Sequence, residues 1–367
     1  MASALHGTSI RSVQVSRLDI PLLSPFGISK GSLELAANVL VAVLLEDGSV
    51  GHGEAAPFPA YNAETQSDAL ALLERAARRL PGEDAASWEE AGARLRADAD
   101  RPWGAARCAL ETALLDAVCR SRGVSLWSHF GGAGTELRTD MTVTTGSAAQ
   151  AGADARGIRA RGIAAIKAKI GGRAVREDLD RIAAIAAAAP GASLILDGNA
   201  GLTRETAAEL ADGLRAIGIA PLLLEQWLPR EDLEGMRALR GSTGWPVAAD
   251  EAVASADDAL RVASAGAADV INIKLMKAGV AEALKIAAAA RSAGIGLMIG
   301  GNIESLLAMT ASACFAAGLG GFGFADLDTP LFMAENPFEG GYRLEGDRVS
   351  VAHIRAGHGV APRGLLL

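Results

Sequence analysis

From Gly132 onward the chain repeats one unit, a short strand-like apolar run followed by an Ala-rich stretch of helical pattern, about every 25 residues. The runs are TDMTVTT, AIKAKI, SLILDGN, PLLLEQ, PVAADE, VINIKLM, GLMIGG and FGFADLD. Eight such runs with helices between them predict a parallel sheet closed into a barrel rather than left open. Barrels of this type take roughly 200–250 residues. A chain of 367 therefore has room for a smaller partner domain as well.

That partner is expected at the start of the chain. The segment VLVAVLLEDGSVGHGE, Val39 to Glu54, has two apolar runs around Asp47-Gly48, a dipeptide that supplies the positive φ of a tight hairpin. Apolar residues recur at helical spacing from Glu64 to Leu80 and from Ala105 to Arg122, with Gly123 placed as a C-terminal stop. The first 130 or so residues thus predict a hairpin-plus-helices α+β unit. At the other end, FEGGYRLEGDRVSV, which begins at Phe338, predicts a short hairpin that leaves the barrel and returns to the first domain.

Half of the residues are hydrophobic and only 4% are aromatic, so the core must be built from closely packed Ala, Val, Ile and Leu. A net charge of −8 without any Lys/Arg block argues against a nucleic-acid partner. No leader-like segment opens the chain and no long uncharged apolar run follows, so a cytoplasmic protein with no membrane contact is expected. Cys108, Cys119 and Cys314 lack metal-ligand spacing and fall in helical patterns, where a thiol serves as a small apolar residue.

Nearly every apolar run ends in an ionisable group, and in such barrels the C-terminal ends of the strands build the active site. Asp197 ends SLILD, Glu225 ends PLLLE and Asp250 ends PVAAD, so successive strands deliver three carboxylates to one mouth. Singly, each acid could cap the next helix, and Asp197-Gly198-Asn199 could be an ordinary turn. In three consecutive units, they repel one another unless a cation holds them. Oxygen donors without nearby His or Cys suit a hard ion such as Mg2+.

Lys167 and Lys169 lie two apart in AIKAKI, so both point to one face of a strand. Lys274 falls on VINIKLM, expected to be an opposing strand. A lysine beside a cation and other ammonium groups has its neutral form favoured, which makes it a usable base. Lysines on both sides of a bound carbon could exchange its proton on either face, the chemistry of racemases and epimerases. His6, His52, His129, His353 and His358 all fall outside the expected barrel strands, leaving no histidine base there.

The motifs KAK (Lys167 to Lys169), DGN (Asp197 to Asn199), EQ at Glu225, DE at Asp250 and NIKLMKAG from Asn272 resemble the enolase superfamily, specifically its muconate-lactonizing branch. The resemblance runs over nearly the whole chain. It implies a modified (β/α)7β barrel of the TIM type in residues 134–335, an α+β capping domain in residues 1–133, and a C-terminal segment, 336–367, returning to that cap. It also implies magnesium bound by Asp197, Glu225 and Asp250, with Lys169 and Lys274 as the two bases and Lys167 assisting at the substrate carboxylate.

Within that branch, DLDTP from Asp326 to Pro330 resembles the dipeptide epimerases, whose paired aspartates hold the ammonium of a dipeptide. Asp326 and Asp328 are two apart on the last run, so both can face the mouth, and two carboxylates suit one ammonium. By the same resemblance Thr142, Gly301, Asn302 and Ile303 line the dipeptide site. The expected partner is a small dipeptide, with a homo-oligomer left open. In the Ala-Glu epimerases an arginine in the loop after the first strand recognises glutamate; here Gly31 stands at the matching place, with Lys30 beside it. Trp227 replaces the proline expected after EQ, and its indole is expected to narrow the pocket near the metal. With Phe26, Ile28, Phe58 and Tyr61, these departures point to an uncharged or hydrophobic second residue.

Rival readings on the same scaffold are an N-acylamino acid racemase, an o-succinylbenzoate synthase or a cycloisomerase, none of whose substrates explains an aspartate pair. A Schiff-base aldolase using one strand lysine would need no metal. A catalytically silent barrel conflicts with the full set of acids and lysines.

Overall fold

The computed structural model describes residues 7–28, 31–101 and 103–364. Three long strands open the fold as an antiparallel sheet in the order β1 (Ile10–Ile28), β2 (Gly31–Leu45) and β3 (Val50–Ala55). The β2–β3 connection turns at Glu46 to Ser49, where Gly48 takes φ +87°, as the sequence Asp-Gly predicts. The helix Ala105–Ser121 lies across β3 at very close range. A Cβ at Gly53 would sit 2.0 Å from the carbonyl oxygen of Ala109, and one at Gly51 2.2 Å from that of Ala113. The glycines of GHGE are what let helix and strand touch backbone to backbone. Gly53→Ala is accordingly expected to destabilise the protein by about 1–3 kcal/mol through overpacking. Thermal unfolding checks this, and an unchanged midpoint would contradict the close approach.

The barrel follows: β5 (Met141–Val143), β6 (Ala165–Lys169), β7 (Ser193–Asp197), β8 (Leu223–Glu225), β9 (Val247–Ala249), β10 (Val270–Ile273), β11 (Gly296–Ile299) and β12 (Phe322–Ala325). All neighbours are parallel and occur in sequence order. A parallel bridge from Thr139, just before β5, to Ala325 on β12 joins the two ends of the sheet. A helix of at least ten residues follows each strand from β5 to β11. After β12 comes only the short turn Thr329–Phe332, so the pattern is (β/α)7β.

Inside the ring, Ile195, Leu223, Ala248, Val270 and Met298 pack as one cluster, with Phe324 against it. This apolar layer is the floor on which the polar mouth stands. The capping sheet is bound to the barrel through Glu54, whose buried carboxylate accepts hydrogen bonds from Asn38, from the backbone N–H of Ser305 (3.0 Å) and Ala308 (3.2 Å), and from the Ser305 hydroxyl.

The C-terminal hairpin differs in one respect from expectation. Its strands β14 (Arg343–Glu345) and β15 (Arg348–Ser350) pair with each other and with β4 (Glu136–Arg138), the strand leading into the barrel, rather than with the first sheet. The chain reaches the capping helix only after that. His358 donates its backbone N–H to Asp116 at 2.8 Å, and Arg120 donates to the carbonyl of Val360 at 2.7 Å. The three cysteines are buried and free, and no helix among the described residues is long and apolar enough to cross a membrane.

Candidate active site

Strand register assembles the site. Lys169, Asp197 and Glu225 are register neighbours across β6, β7 and β8, one layer nearer the mouth than Lys167, Ile195 and Leu223. Asp250 follows β9 directly, and Lys274 follows β10. The sequence pattern put Lys274 on its strand; instead it is the N-cap of the helical turn Leu275–Ala278, because the apolar run that looks like a continuing strand bends into that turn. In the ring, β6 and β10 stand four places apart out of eight, so Lys169 and Lys274 approach the mouth from opposite walls.

The turns after β7 and β8 are knit together tightly. Gly198 N–H donates to Glu225 O (2.9 Å), Ala200 N–H to Gln226 O (2.7 Å) and Leu202 N–H to Trp227 O (3.0 Å). A Cβ on Gly198 would lie 2.7 Å from Trp227 Cα. Asn199, Ala200 and Gln226 adopt φ of 44°, 56° and 37°, a left-handed backbone rare for residues other than glycine, and such strain concentrates at functional sites. Gln226 puts it to use: its side-chain oxygen accepts the N–H of Asp250 (2.9 Å) and Ala252 (3.1 Å), fixing the neighbouring turn. Trp227 does not enter the pocket. It is 1% exposed, packs in the core and donates its indole N–H to Leu196 O at 2.9 Å.

The acids and lysines interleave. Lys167 Nζ lies 2.7 Å from Asp326, 2.9 Å from Glu225 and 3.2 Å from Asp197. Lys169 pairs with Asp197 at 2.6 Å, Lys274 with Asp250 at 2.8 Å, and Lys277 with Asp250 at 2.7 Å. Burial alone would raise Asp250, but Lys274 and Lys277 hold its carboxyl well below the usual range. Glu225 is pushed up to about 7 by burial and by the charges of Asp197 and Asp250, and Glu251 up to about 8 by burial and Asp250. Burial would lower Lys274, but Asp250, with Glu225 and Glu251, holds it above the ordinary lysine value.

Four lysines here (Lys167, Lys169, Lys274 and Lys277) face seven acids (Asp140, Asp197, Glu225, Asp250, Glu251, Asp326 and Asp328), an anionic excess. Oε2 of Glu225, although near Lys167, accepts no well-directed hydrogen bond, and Oε2 of Glu251 and Oδ1 of Asn199 have none. Buried, unsatisfied oxygens around Asp197, Glu225 and Asp250 fit a hard divalent cation. A second acid group is more compact: ligand oxygens of Asp140, Asp326 and Asp328 lie within 4.8 Å of one another.

Two cavities adjoin. A small one of about 40 Å³ is lined by Phe58, Thr142, Lys169, Asn199, Lys274, Gly301, Asn302, Ile303, Asp326, Asp328 and Thr329. The structure thus brings both proposed bases, the aspartate pair, and Thr142, Gly301, Asn302 and Ile303 to one space. A Cβ at Gly301 would stand 2.2 Å from the Met309 methyl, so a side chain there would require Met309 to shift. A larger cavity of about 320 Å³ shares Phe58, Asn199, Lys274 and Asn302 and adds Tyr61, Pro229 and Arg230. Lys167 lines neither; it is 0% exposed and bridges Glu225 and Asp326 from the floor. Lys30 lies outside the described residues, as do the side chains of Phe26 and Ile28, while Gly31 begins β2.

Residues not singled out in the sequence complete the site. Asn272 donates to Glu225 at 2.8 Å, and Lys277 binds both the carboxylate and the backbone carbonyl of Asp250. Both belong to NIKLMKAG, so the motif held the signal although spacing assigned them no partner.

Comparison with known proteins fits this geometry. Residues 150–364 match the family described as Enolase C-terminal domain-like, and residues 10–131 match the Mandelate racemase / muconate lactonizing enzyme, N-terminal domain. The chain is 50% identical to an aromatic dipeptide epimerase of Herpetosiphon aurantiacus, over 96% of this chain and 99% of that one. A solved mandelate racemase/muconate lactonizing protein from Herpetosiphon aurantiacus superposes with a TM-score of 0.93 at 49% identity, covering 98% of this chain and 99% of the other. A dipeptide epimerase from Enterococcus faecalis, solved with Mg and the dipeptide L-Leu-L-Tyr, superposes with a TM-score of 0.91 at 30% identity, covering 96% and 99%.

Proposed function

The chain belongs to the mandelate racemase/muconate lactonizing family of the enolase superfamily, and from that premise we propose that it is a magnesium-dependent dipeptide epimerase. It is read as an isomerase interconverting L,L- and L,D-dipeptides at the α carbon of the second residue. One observation carries the reading: lysines from opposite walls and the Asp326/Asp328 pair line the same small cavity. The relatives named as dipeptide epimerases support it.

Each group then has a task. Asp326 and Asp328 take the ammonium of the first residue, which sets the peptide's direction in the cavity. That places the second residue between Lys169 and Lys274. One lysine removes the α proton and the other returns a proton to the opposite face, which inverts the centre. Asp197, Glu225 and Asp250 would hold magnesium, which when bound supplies positive charge for the substrate carboxylate and for the charge that develops as the proton leaves. These three are read as the metal set because they stand at the ends of three consecutive strands, with Oε2 of Glu225 unsatisfied, which leaves Asp326 and Asp328 for the ammonium. Lys167 adds charge at the substrate carboxylate from below, and Lys277 and Asn272 keep Asp250 and Glu225 in place.

The second side chain would occupy the larger cavity, against Phe58, Tyr61 and Pro229. Arg230, at its edge, is already paired with Glu231 at 2.7 Å. An acidic side chain would face Glu231, Asp250 and Glu251, which line the same cavity, whereas an apolar or aromatic one would bury surface against Phe58, Tyr61 and Pro229. The expected result is a kcat/KM for L-Ala-L-Phe or L-Ala-L-Leu at least about tenfold above that for L-Ala-L-Glu, read by chiral chromatography across a dipeptide set. A preference for the acidic dipeptide would reject this specificity.

A further inference from the structure

Beneath the aspartate pair lies a third acid that the proposed mechanism does not use. Asp140, between β4 and β5, is 2% exposed, and neither of its carboxyl oxygens has a hydrogen-bond partner. It lines neither cavity. Its ligand oxygen nevertheless lies within 4.8 Å of those of Asp326 and Asp328, each of which also has one unpartnered oxygen, Oδ1. The other oxygens are committed: Asp326 Oδ2 to Lys167 at 2.7 Å, and Asp328 Oδ2 to the N–H of Thr142 at 2.6 Å.

We propose that Asp140 is a positioning residue of the ammonium pocket, remaining protonated and donating its O–H to the aspartate pair from below while the substrate ammonium binds that pair from above. The inference rests on the ammonium role assigned to Asp326 and Asp328. The charge balance supports it. Three ionised carboxylates, of which Asp326 contacts Lys167, would together with one substrate ammonium leave a buried, uncompensated negative charge, which is strongly unfavourable. A proton on the acid farthest from the cavity removes that charge and satisfies an orphaned oxygen in the same step. Asp140 is also the acid without any hydrogen-bond donor to stabilise its anion. Burial and Asp326, then Asp328 and Glu225, favour its neutral form against the single opposing charge of Lys167.

The test compares Asp140→Asn with Asp140→Leu in the full-length enzyme with magnesium, measuring kcat and KM for an L,L-dipeptide that the wild type turns over, alongside thermal melting. Asparagine retains shape and a donor without charge, so both constants are expected within about threefold of wild type. Leucine removes the donor, so KM is expected to rise tenfold or more with kcat changed far less. Equal, large losses in both variants would overturn the proposal, because an anionic ligand rather than a neutral donor would then be required at this position. Leucine leaving KM unchanged would overturn it as well, and so would a loss confined to kcat. If the leucine variant melts too early to assay, Asp140→Asn decides alone: a tenfold rise in KM contradicts a protonated Asp140. Failure of the epimerase reading itself is separable, because the wild type would then turn over no dipeptide.

Discussion

Lys169→Ala and Lys274→Ala are each expected to lower kcat for epimerisation by about 10²–10⁴-fold, the range for loss of a positioned proton-transfer group. The more telling expectation is stereochemical. On the proposed two-base reading, side chains that reach the cavity from β6 and from the end of β10, four strands apart, would each serve one face of the carbon. Each variant retains one base, so exchange of the α proton with solvent should persist from one stereoisomer and vanish from the other, with opposite preference in the two variants. Mass spectrometry in heavy water, starting separately from L,L- and L,D-dipeptides, reads this directly. Complete loss from both stereoisomers in both variants would contradict a two-base site. Each lysine also neutralises a buried carboxylate, Asp197 or Asp250, so folding of the variants is checked by melting alongside.

Stripping divalent cations is expected to have the next largest effect, reducing turnover to the background of the assay, with magnesium restoring it. The acids at the ends of β7, β8 and β9 are buried and close enough for Asp197 and Asp250 to raise Glu225. A bound divalent ion should also raise the melting midpoint, since it binds the folded state alone. Glu225→Gln should weaken both responses. Full activity in excess chelator would exclude the metal role, and trapping by borohydride under those conditions would favour Schiff-base chemistry.

Much of this arrangement is legible in the sequence because barrel grammar and site chemistry coincide. A polar residue at the end of an apolar run has one place to go, the mouth, so Lys169, Asp197, Glu225 and Asp250 announced themselves by position. Two-residue spacing likewise put Lys167 on the face of Lys169, although it could not show that Lys167 sits a layer deeper, beside Ile195. What stayed hidden depends on backbone detail. Lys274 caps a turn because its strand stops at Ile273, and the apolar residues on both sides gave no sign of the change. Trp227 turns into the core because Gln226 takes a positive φ and Gly198 leaves space for the Trp227 backbone. Asp140 lies in the run TDMTVTT, where spacing gave it no role; its relation to Asp326 and Asp328 exists only because β5 and β12 meet where the ring closes.

In the proposed mechanism a carbon beside a carboxylate is held between Lys169 and Lys274. Incubating the magnesium-loaded enzyme with an L,L-dipeptide of apolar second residue in deuterium oxide, and following the α protons by NMR, tests it most directly. A single deuterium at the α carbon of the second residue is expected, appearing together with the L,D product. No incorporation into any dipeptide, or label entering only the first residue, would contradict it.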